Sequence, residues 1–478
     1  MTSSSGVVRN ISIGLLCAAC VAEGRNAGAQ QSSSQMTAAV QQDSQSAHPV
    51  DAGSPAIVTL EDAISRAEKN EPTFAAAVAA NKVAALDRSI ARSALLPNVV
   101  YHNQYLYTEG AHGATGSANA SAGTTPGTPR FIANNAVHEY TSQGIATETV
   151  GVQQFNALSH ASALAAVAAA ELEIARRGLV STVVGLYYGA QAADRKVAVA
   201  QRAAAEAADF TGNTQKREGA REVAHADVIK AQLQQQQRDR DLANAKVESE
   251  KARLELAVLL FPDPHTAFAL AEGEVTAPLA TRAEIEGMAA RNNPELKSAI
   301  ASLHAAALDV TGARAAYLPD LALNFTYGID APEFAVHAPD GTRNLGYSAS
   351  ATLDIPVWDW FATHDRIKQK VALRESARTT LSATQRHLIA QLDELYSEAS
   401  VARDQIQSLE TSVQTARESL RLSRLRYSEG ETNVLEVVDA QNSLTTQENA
   451  REDGIVRYQT ALANLQLLTG QYLAGTKP

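Results

Sequence analysis

Two carboxylates three residues apart are the clearest candidates for chemistry in this sequence. Glu436 and Asp439 follow Gly430, at which a long helical pattern stops, so they share one face of the next helix about one turn from its start. Carboxylates that converge on a narrow opening attract cations. Solvated acids on an exposed helix face would show the same spacing, and the pattern alone leaves both interpretations open.

The two cysteines of the chain, Cys17 and Cys20, have the spacing of a redox pair but lie in a short apolar run behind Arg9. That run is too short to cross a bilayer and is typical of a signal peptide. We therefore predict a signal peptide at residues 1–29, cut after Ala29. The alternative is a lipid attached to Cys20.

Composition argues against most enzyme and nucleic-acid-binding classes. The chain has 478 residues, a net charge of −11, 5% aromatic residues and 11 scattered histidines. It contains no Gly-rich phosphate loop, Gly-x-Ser-x-Gly or His-Glu-x-x-His motif, and a phosphate-binding surface would need clustered Lys and Arg. We therefore expect no enzyme activity, no cofactor, no metal site and no nucleic-acid partner.

The longest element that must position the carboxylates is a helix from about Ala362 to Tyr427. Neither proline nor glycine interrupts it, and at ~1.5 Å per residue it would be about 100 Å long. Gly430 supplies a stop, and Thr432 or Asn433 can cap a second helix over residues 434–468. The pattern predicts a long antiparallel helical hairpin.

An internal repeat organises the chain. Pro72 corresponds to Pro294 and Pro97 to Pro319, and both pairs are 222 residues apart (294 − 72 and 319 − 97). Nearer the C-terminal end of each repeat, the segment Arg217-Glu218-Gly219 resembles Ser428-Glu429-Gly430. Asp227-Val228-Ile229-Lys230 likewise resembles Glu436-Val437-Val438-Asp439, with an offset of 209 (436 − 227). The protein is predicted to be a tandem duplication.

The predicted domain boundaries follow from that duplication. After the signal peptide comes a disordered arm at residues 30–56, because that segment is rich in Gln, Ser and Ala. The first repeat covers residues 57–262, a linker residues 263–281, and the second repeat residues 282–472. Residues 473–478 form a tail.

Each repeat is predicted to contain a strand pair, at about residues 98–152 and 320–356. Helices capped at Thr59 and Thr281 break at an Asn-x-Pro, resume for about six turns and end at Leu-Pro. Apolar and polar residues alternate after that, as in Leu321, Leu323, Phe325, Tyr327 and Ile329. Four such strands cannot close a membrane barrel, so we expect the chain to oligomerise. A soluble hairpin covered by helices is the alternative.

Aromatic residues at the ends of these strands could form an interfacial belt in a membrane. Trp358, Trp360 and Phe361 stand where the last strand meets the long helix, and Tyr327 and Tyr105 lie within the strands. The tryptophans could equally plug a core at that junction.

The second hairpin resembles the tip hairpin of the TolC-type outer membrane efflux proteins. In its order of elements, the resemblance extends over about residues 57–470. In the hairpin itself it rests on these residues: Arg426-Tyr427, Gly430, Leu435, Val438, Asp439-Ala440-Gln441 and Leu444. It implies a mainly α fold with a small β part: duplicated long antiparallel helical hairpins and four transmembrane strands per protomer. A homotrimer would then form a β-barrel surrounded by the lipid of the outer membrane, and this barrel would continue as an α-barrel across the periplasm.

The resemblance also implies roles for particular residues. Glu436, Asp439 and Asp227 would form a periplasmic gate, although Lys230 stands where a carboxylate is expected opposite Asp439. Tyr427 could brace the closed gate or could equally be a packing residue. Four residues at the turns would contact a periplasmic adaptor protein: Gly219, Arg221, Gly430 and Thr432.

The predicted function is therefore that of a passive conduit in a tripartite efflux or type I secretion system, driven by an inner-membrane pump. The alternative from another class is a periplasmic coiled-coil adaptor or structural protein. Long hairpins and a signal peptide would suit that alternative too, whereas the two strand pairs would not.

Overall fold

The computed structural model describes residues 56–107, 138–271 and 278–470. The predicted signal peptide with Cys17 and Cys20, the disordered arm before Ala56, the tail and part of the linker lie outside these residues. The described chain is mainly α-helical with a small β part, which confirms the predicted fold class.

The two repeats contain the same elements in the same order. The first comprises β1 (Ala56–Val58), α1 (Leu60–Asn70), α2 (Pro72–Ser93), β2 (Asn98–Tyr107), β3 (His138–Val150), α3 (Val152–Gly219) and α4 (His225–Leu260). The second comprises β4 (Phe268–Leu270), α5 (Arg282–Asn292), α6 (Pro294–Ala315), β5 (Asp320–Ala331), β6 (Leu345–Asp354), α7 (Ala362–Ser428) and α8 (Val434–Thr469). Equivalent helices have nearly equal lengths, because α3 has 68 residues and α7 has 67, while α4 and α8 have 36 each.

The starts of the short helices follow local capping chemistry. The Thr59 hydroxyl accepts a hydrogen bond from the Asp62 N–H, and Thr281 forms a capping box with Glu284. Proline then occupies the first position of both α2 and α6, where its missing N–H leaves no helical bond unmade.

A four-stranded antiparallel sheet has the order β2-β3-β5-β6, so β2 and β6 are its edges. Strand β3 begins at His138 and stays paired with β2 as far as Tyr107, within the predicted strand pair at residues 98–152. Residues in register share a face, and the row Tyr101, Gly144, Tyr327 and Tyr347 crosses all four strands. The predicted alternation therefore produces one mainly apolar, aromatic face across the four strands, interrupted by Asn103, Ser142 and Glu148.

Gly328 of β5 lies so close to the backbone of β3 that no larger residue fits. A Cβ added to Gly328 would lie 2.2 Å from the Ser142 carbonyl oxygen and 2.6 Å from the Gln143 Cα. Both obstacles are backbone atoms, so no side-chain movement could make room for a larger residue.

A second, two-stranded sheet pairs β1 with β4 beside the long helices. The buried Tyr187 hydroxyl of α3 donates to the carbonyl oxygens of Val58, at 3.1 Å, and Ala271, at 3.0 Å. Burial raises the pKa of the Tyr187 phenol, so it remains a donor. This contact joins the linker to the first repeat. The sequence did not predict it, because strands of three residues are too short to be recognised from a pattern.

The long helices form two hairpins, α3 with α4 and α7 with α8, that meet along α3 and α8. Ion pairs cross this line of contact, including Arg195 with Glu452 at 3.4 Å and Lys196 with Asp453 at 2.5 Å. Each hairpin ends in a short turn, and these turns carry the predicted gate residues.

Candidate functional site

The turn of the second hairpin closes through two backbone hydrogen bonds. The Glu431 N–H donates to the Arg426 carbonyl oxygen at 2.9 Å, and the Gly430 N–H donates to the Tyr427 carbonyl oxygen at 3.2 Å. Gly430 has a φ of 80°, the left-handed conformation that ends a helix in this way. Asn433 then caps α8 by accepting from the Glu436 N–H at 3.2 Å.

Glu436 is held by its own protomer. Arg426 Nη1 lies 2.7 Å from Glu436 Oε1, and the Thr432 hydroxyl donates to Oε2. Thr432, one of the two predicted caps, thus binds the Glu436 side chain, while Asn433 makes the backbone cap. The Glu436 side chain is 39% exposed, and its charge is largely compensated.

Asp439 is the uncompensated member of the predicted pair. It lies on the same face of α8 as Glu436 and is exposed. Among the residues that the structure describes, no cation or hydrogen-bond donor binds its carboxylate. The free negative charge near this tip is therefore that of Asp439 rather than that of the pair.

Tyr427 is buried and joins the two hairpins. Its ring packs against Phe210 of α3 with the centroids 5.2 Å apart, and the Arg217 guanidinium carbon lies 4.9 Å from the Tyr427 ring centroid. Arg217 Nη1 also donates to the Tyr427 carbonyl oxygen at 2.6 Å, while the Tyr427 hydroxyl lies 3.4 Å from Thr214 Oγ1. Tyr427 thus packs in the apolar core of the tips.

The first hairpin turns with the same bonds but without a glycine at the positive-φ position. The Glu222 N–H donates to the Arg217 carbonyl oxygen at 2.9 Å, the Arg221 N–H donates to the Glu218 carbonyl oxygen at 2.8 Å, and Arg221 has a φ of 63°. The structural equivalent of Gly430 is therefore Arg221, at the offset of 209 (430 − 221).

That equivalence corrects the alignment predicted from the sequence. Pairing Arg217-Glu218-Gly219 with Ser428-Glu429-Gly430 was wrong by two residues, because Gly219 is the last helical residue of α3 and corresponds to Ser428. The alignment matched Gly219 with Gly430 because both are glycines, whereas the residue with a positive φ at this turn is Arg221.

Asp227, the equivalent of Glu436, has weaker partners. Lys230 Nζ lies 3.9 Å from its Oδ1, and the preceding Ala224 provides no side-chain cap for α4. The predicted adaptor-contact residues Gly219, Arg221 and Gly430 are exposed at the two turns, and Thr432 is half-buried.

The predicted aromatic belt residues lie at different levels of the sheet. Trp358 packs against Trp360, with centroids 5.8 Å apart, at the helical end. Tyr105 lies near the other end of the sheet, beside Tyr140 of β3. Tyr140 pairs with Ala331 of β5, which is four residues, or about 13 Å, beyond Tyr327 along the strand. The structure thus separates the tryptophans from Tyr105, with Tyr327 between them.

The ion pairs of two arginines at the tips were not predicted from the sequence. Arg217 and Arg426 are equivalent at the offset of 209, and each pairs with a glutamate five residues later, Glu222 at 3.0 Å and Glu431 at 3.8 Å. This repeated Arg-x4-Glu spacing was a usable signal. Within the described ranges, no three His, Cys, Asp or Glu side chains are arranged to hold a metal ion.

Comparison with known proteins agrees with the fold described above. Residues 287–471 match the family model described as "Outer membrane efflux protein". Outer membrane protein OprJ of Pseudomonas aeruginosa is 27% identical over 172 residues, a match that spans only 36% of this chain and 36% of OprJ.

Solved structures of outer membrane proteins match over most of the chain. The Campylobacter jejuni CmeC outer membrane channel superposes with a TM-score of 0.73 at 15% identity, covering 86% of this chain and 85% of CmeC. The Vibrio cholerae outer membrane protein VceC gives a TM-score of 0.73 at 17% identity, covering 86% of this chain and 96% of VceC. The predicted family resemblance and outer-membrane location are confirmed, whereas the trimer stays a prediction.

Proposed function

We propose that this chain, which carries an outer membrane efflux protein domain in residues 287–471, forms a homotrimeric channel through which substrates leave the periplasm. The observation that carries the proposal is the four-stranded sheet, with an apolar face across all strands and two open edges. In a bilayer, strand edges must be paired, so β6 of one copy would pair with β2 of the next. Three copies would then close a twelve-stranded barrel.

The helices offer matching surfaces for the same assembly. Large apolar side chains are exposed on α4 and α7, the two long helices that contribute less than α3 and α8 to the contact between the hairpins of one protomer: Ile229, Leu233, Val247, Leu254 and Val258 on α4, and Leu373, Ile389, Val401, Leu422 and Leu425 on α7. Pairing α4 of one copy with α7 of the next would bury both sets.

A channel of this kind needs partners. The chain shows no motif for binding nucleotides, so energy would come from an inner-membrane pump, and a periplasmic adaptor would contact the turns at Arg221 and Gly430. The rival proposal, a coiled-coil adaptor, does not account for a sheet whose apolar face is exposed.

The register of the sheet provides the test of the channel. Phe325→Arg places a charge on the apolar face and should destabilise membrane assembly by about 2–4 kcal/mol at mid-bilayer. Asn324→Arg, the neighbouring residue on the opposite face, is the matched control and should have little effect. Heat-modifiable trimers in outer membrane extracts are the measurement, and a soluble periplasmic monomer from the unaltered chain would refute the channel.

We further propose that Glu436, Asp439 and Asp227 surround the opening between the tips. Threefold symmetry would bring the three copies of Asp439 together, and their charges would favour cations. Replacing Glu436 and Asp439 with alanine should lower cation selectivity in planar-bilayer recordings, and Lys230→Glu should raise it. Unchanged selectivity in both variants would show that these residues face away from the pore.

A further inference from the structure

Arg177 of the first repeat binds the ends of two helices of the second repeat. Its Nη1 donates to the Leu467 carbonyl oxygen in the last turn of α8 at 2.6 Å, and its Nη2 donates to the Asn292 carbonyl oxygen at the end of α5 at 3.3 Å. Glu173, one turn earlier on α3, accepts from Arg177 Nε at 2.8 Å. The cation thus lies where two helix dipoles favour it.

The equivalent residue of the second repeat, Arg386, has no such partners in its own chain. The offset of 209 between the long hairpins makes Arg386 the equivalent of Arg177 (386 − 177). It also puts Ser382 where Glu173 stands, so the carboxylate is missing. Among the described residues, the one bond of the exposed Arg386 side chain is a 3.4 Å contact from Nε to the Ser382 carbonyl oxygen within the same helix. Its Nη1 and Nη2 donors are therefore available to another molecule.

The end of α4 is built like the end of α8. The Asn70 amide donates to the Leu260 carbonyl oxygen at 2.6 Å, and the Asn292 amide donates to the Thr469 carbonyl oxygen at 3.2 Å. These bonds are equivalent, because the acceptors differ by the offset of 209 (469 − 260) and the asparagines by the offset of 222 (292 − 70). The first repeat therefore presents carbonyl oxygens in the arrangement that Arg177 binds in the second.

Exposure shows that this end of α4 lacks a neighbour. Val258 is 60% exposed, whereas its equivalent Leu467 (467 − 258) is 8% exposed. The Val258 carbonyl oxygen also lacks a helical donor, because Pro262, four residues later, has no N–H. Helix α2 likewise has no buried residue, whereas its equivalent α6, which packs against both α3 and α7, has five. Within one chain, the first repeat thus lacks a neighbour that the second repeat has.

We infer that Arg386 of one copy binds the end of α4 in the next copy, as Arg177 binds the end of α8 within the chain. The inference rests on the homotrimer proposed above, in which six repeats alternate around a ring, so that α7 and α4 of adjacent copies face each other as α3 and α8 do. Arg386 Nη1 then donates to the Val258 carbonyl oxygen and Nη2 to the Asn70 carbonyl oxygen of that copy. Three such contacts join the copies about 36 Å along α7 from its start beside the sheet.

Dissociation of the trimer provides the first test. Arg386→Ala should raise the dissociation constant of the purified trimer at least about tenfold, because each copy loses a charged donor to two carbonyl oxygens. Arg386→Lys should have an intermediate effect, since an ammonium group lacks the fork of donors that spans both oxygens.

Arg378→Ala is the matched control for that measurement. It also removes an exposed arginine of α7, but the equivalent residue of α3, Ala169 (378 − 169), is exposed although α3 has neighbours on both sides. Arg378 should therefore face solvent in the trimer too, and its replacement should leave the dissociation constant unchanged. Equal dissociation constants for Arg386→Ala and Arg378→Ala would overturn the inference.

Paired cysteines test the position of the contact. Within one chain, the Ser181 hydroxyl of α3 donates to the Asn464 amide oxygen of α8 at 2.5 Å, so oxidation of Ser181→Cys with Asn464→Cys should link two helices of the same copy. The equivalent pair at the offset of 209 is Ala390 and Glu255. Ala390→Cys with Glu255→Cys should link different copies and give covalent dimers and trimers on denaturing gels. Ala390→Cys with Glu248→Cys, two turns or about 10 Å away on the same face of α4, should not.

The outcomes separate this contact from the proposed channel. In a protein that remains trimeric, a failure of Ala390→Cys to link with Glu255→Cys, or equal linking with Glu248→Cys, would overturn the contact and leave the channel standing. An unaltered chain that is monomeric in detergent would refute both. The cysteine pairs keep Arg386 in place, so they test the contact even if Arg386→Ala does not fold. Cys17 and Cys20 do not interfere, because the predicted cleavage after Ala29 removes them.

Discussion

The two hairpin turns have one backbone geometry and two sets of side chains. In both, two hydrogen bonds close the turn over a residue with a positive φ, but that residue is Gly430 in the second hairpin and Arg221 in the first. A non-glycine residue pays about 1–2 kcal/mol for this conformation. The shared backbone bonds therefore determine the shape of the turn, and the side chains determine how stable it is.

The surrounding contacts widen that difference. At the second turn, Asn433 caps α8, and Arg426 and Thr432 hold Glu436. At the first, Ala224 offers no side-chain cap, and Lys230 at 3.9 Å is the one ion-pair partner of Asp227 among the described residues. We expect the first turn to open more readily than the second in hydrogen exchange, because fewer contacts must be broken.

The largest expected difference between the turns concerns Tyr427, whose equivalent at the offset of 209 is the partly exposed Glu218. Tyr427→Ala should lower the free energy of unfolding by about 3–5 kcal/mol, because a buried ring that joins both hairpins is removed. Glu218→Ala should change it by about 0.5 kcal/mol or less. Thermal unfolding of the purified assembly measures both.

Tyr427→Phe is the control for the ring. It removes only the 3.4 Å contact with Thr214 and should remain close to the unaltered protein. If Tyr427→Ala were as stable as Tyr427→Phe, the ring would not join the hairpins in solution.

Exchanging the turn residues should bring the two turns closer together. Gly430→Ala should destabilise the second turn by about 1–2 kcal/mol through backbone strain alone, because no atom lies within 4 Å of the added Cβ. Arg221→Gly should stabilise the first turn by about 0.5–1 kcal/mol, the relief of strain being partly offset by a more flexible unfolded chain. Hydrogen exchange at the amides of the two turns reports each effect, and a slower exchange in Gly430→Ala would contradict the assigned strain.

The smallest expected change in stability comes from Arg426. Arg426→Ala removes an exposed ion pair and should destabilise the protein by about 0.2–1 kcal/mol. It also frees the Glu436 charge, so cation selectivity in planar bilayers should rise. Arg282→Ala also removes an exposed arginine from an ion pair, with Glu286 at 2.9 Å, but lies on α5 far from the turns and is the control. Equal selectivity in the two variants would argue against Glu436 facing the pore.

Local chemistry explains why so much could be predicted from the sequence. The absence of proline and glycine indicated α7 from about Ala362 to Tyr427, and the structure has Ala362–Ser428. Helix starts at Thr59 and Thr281 and the stop at Gly470, with a φ of 73°, depend on bonds between residues a few positions apart. Strand alternation depends on a period of two, which can be read directly from the order of apolar and polar residues.

Contacts between distant segments could not be read in the same way. The bond of Arg217 to Tyr427 joins residues 210 positions apart, and the pairing of β1 with β4 joins strands of only three residues. The sequence did not identify Arg221 as the turn residue, because the nearby Gly219 is of the residue type that usually adopts a positive φ. That conformation is set by the paired helices on either side of the turn rather than by the residue itself.

By itself, the sequence determined the duplication, the long hairpins and the apolar face of the strands, because each follows from residue type and short-range spacing. The tertiary structure alone decided which carboxylate is free. Glu436 and Asp439 lie on one helix face and look alike in the sequence, but Arg426 on the neighbouring helix reaches only Glu436.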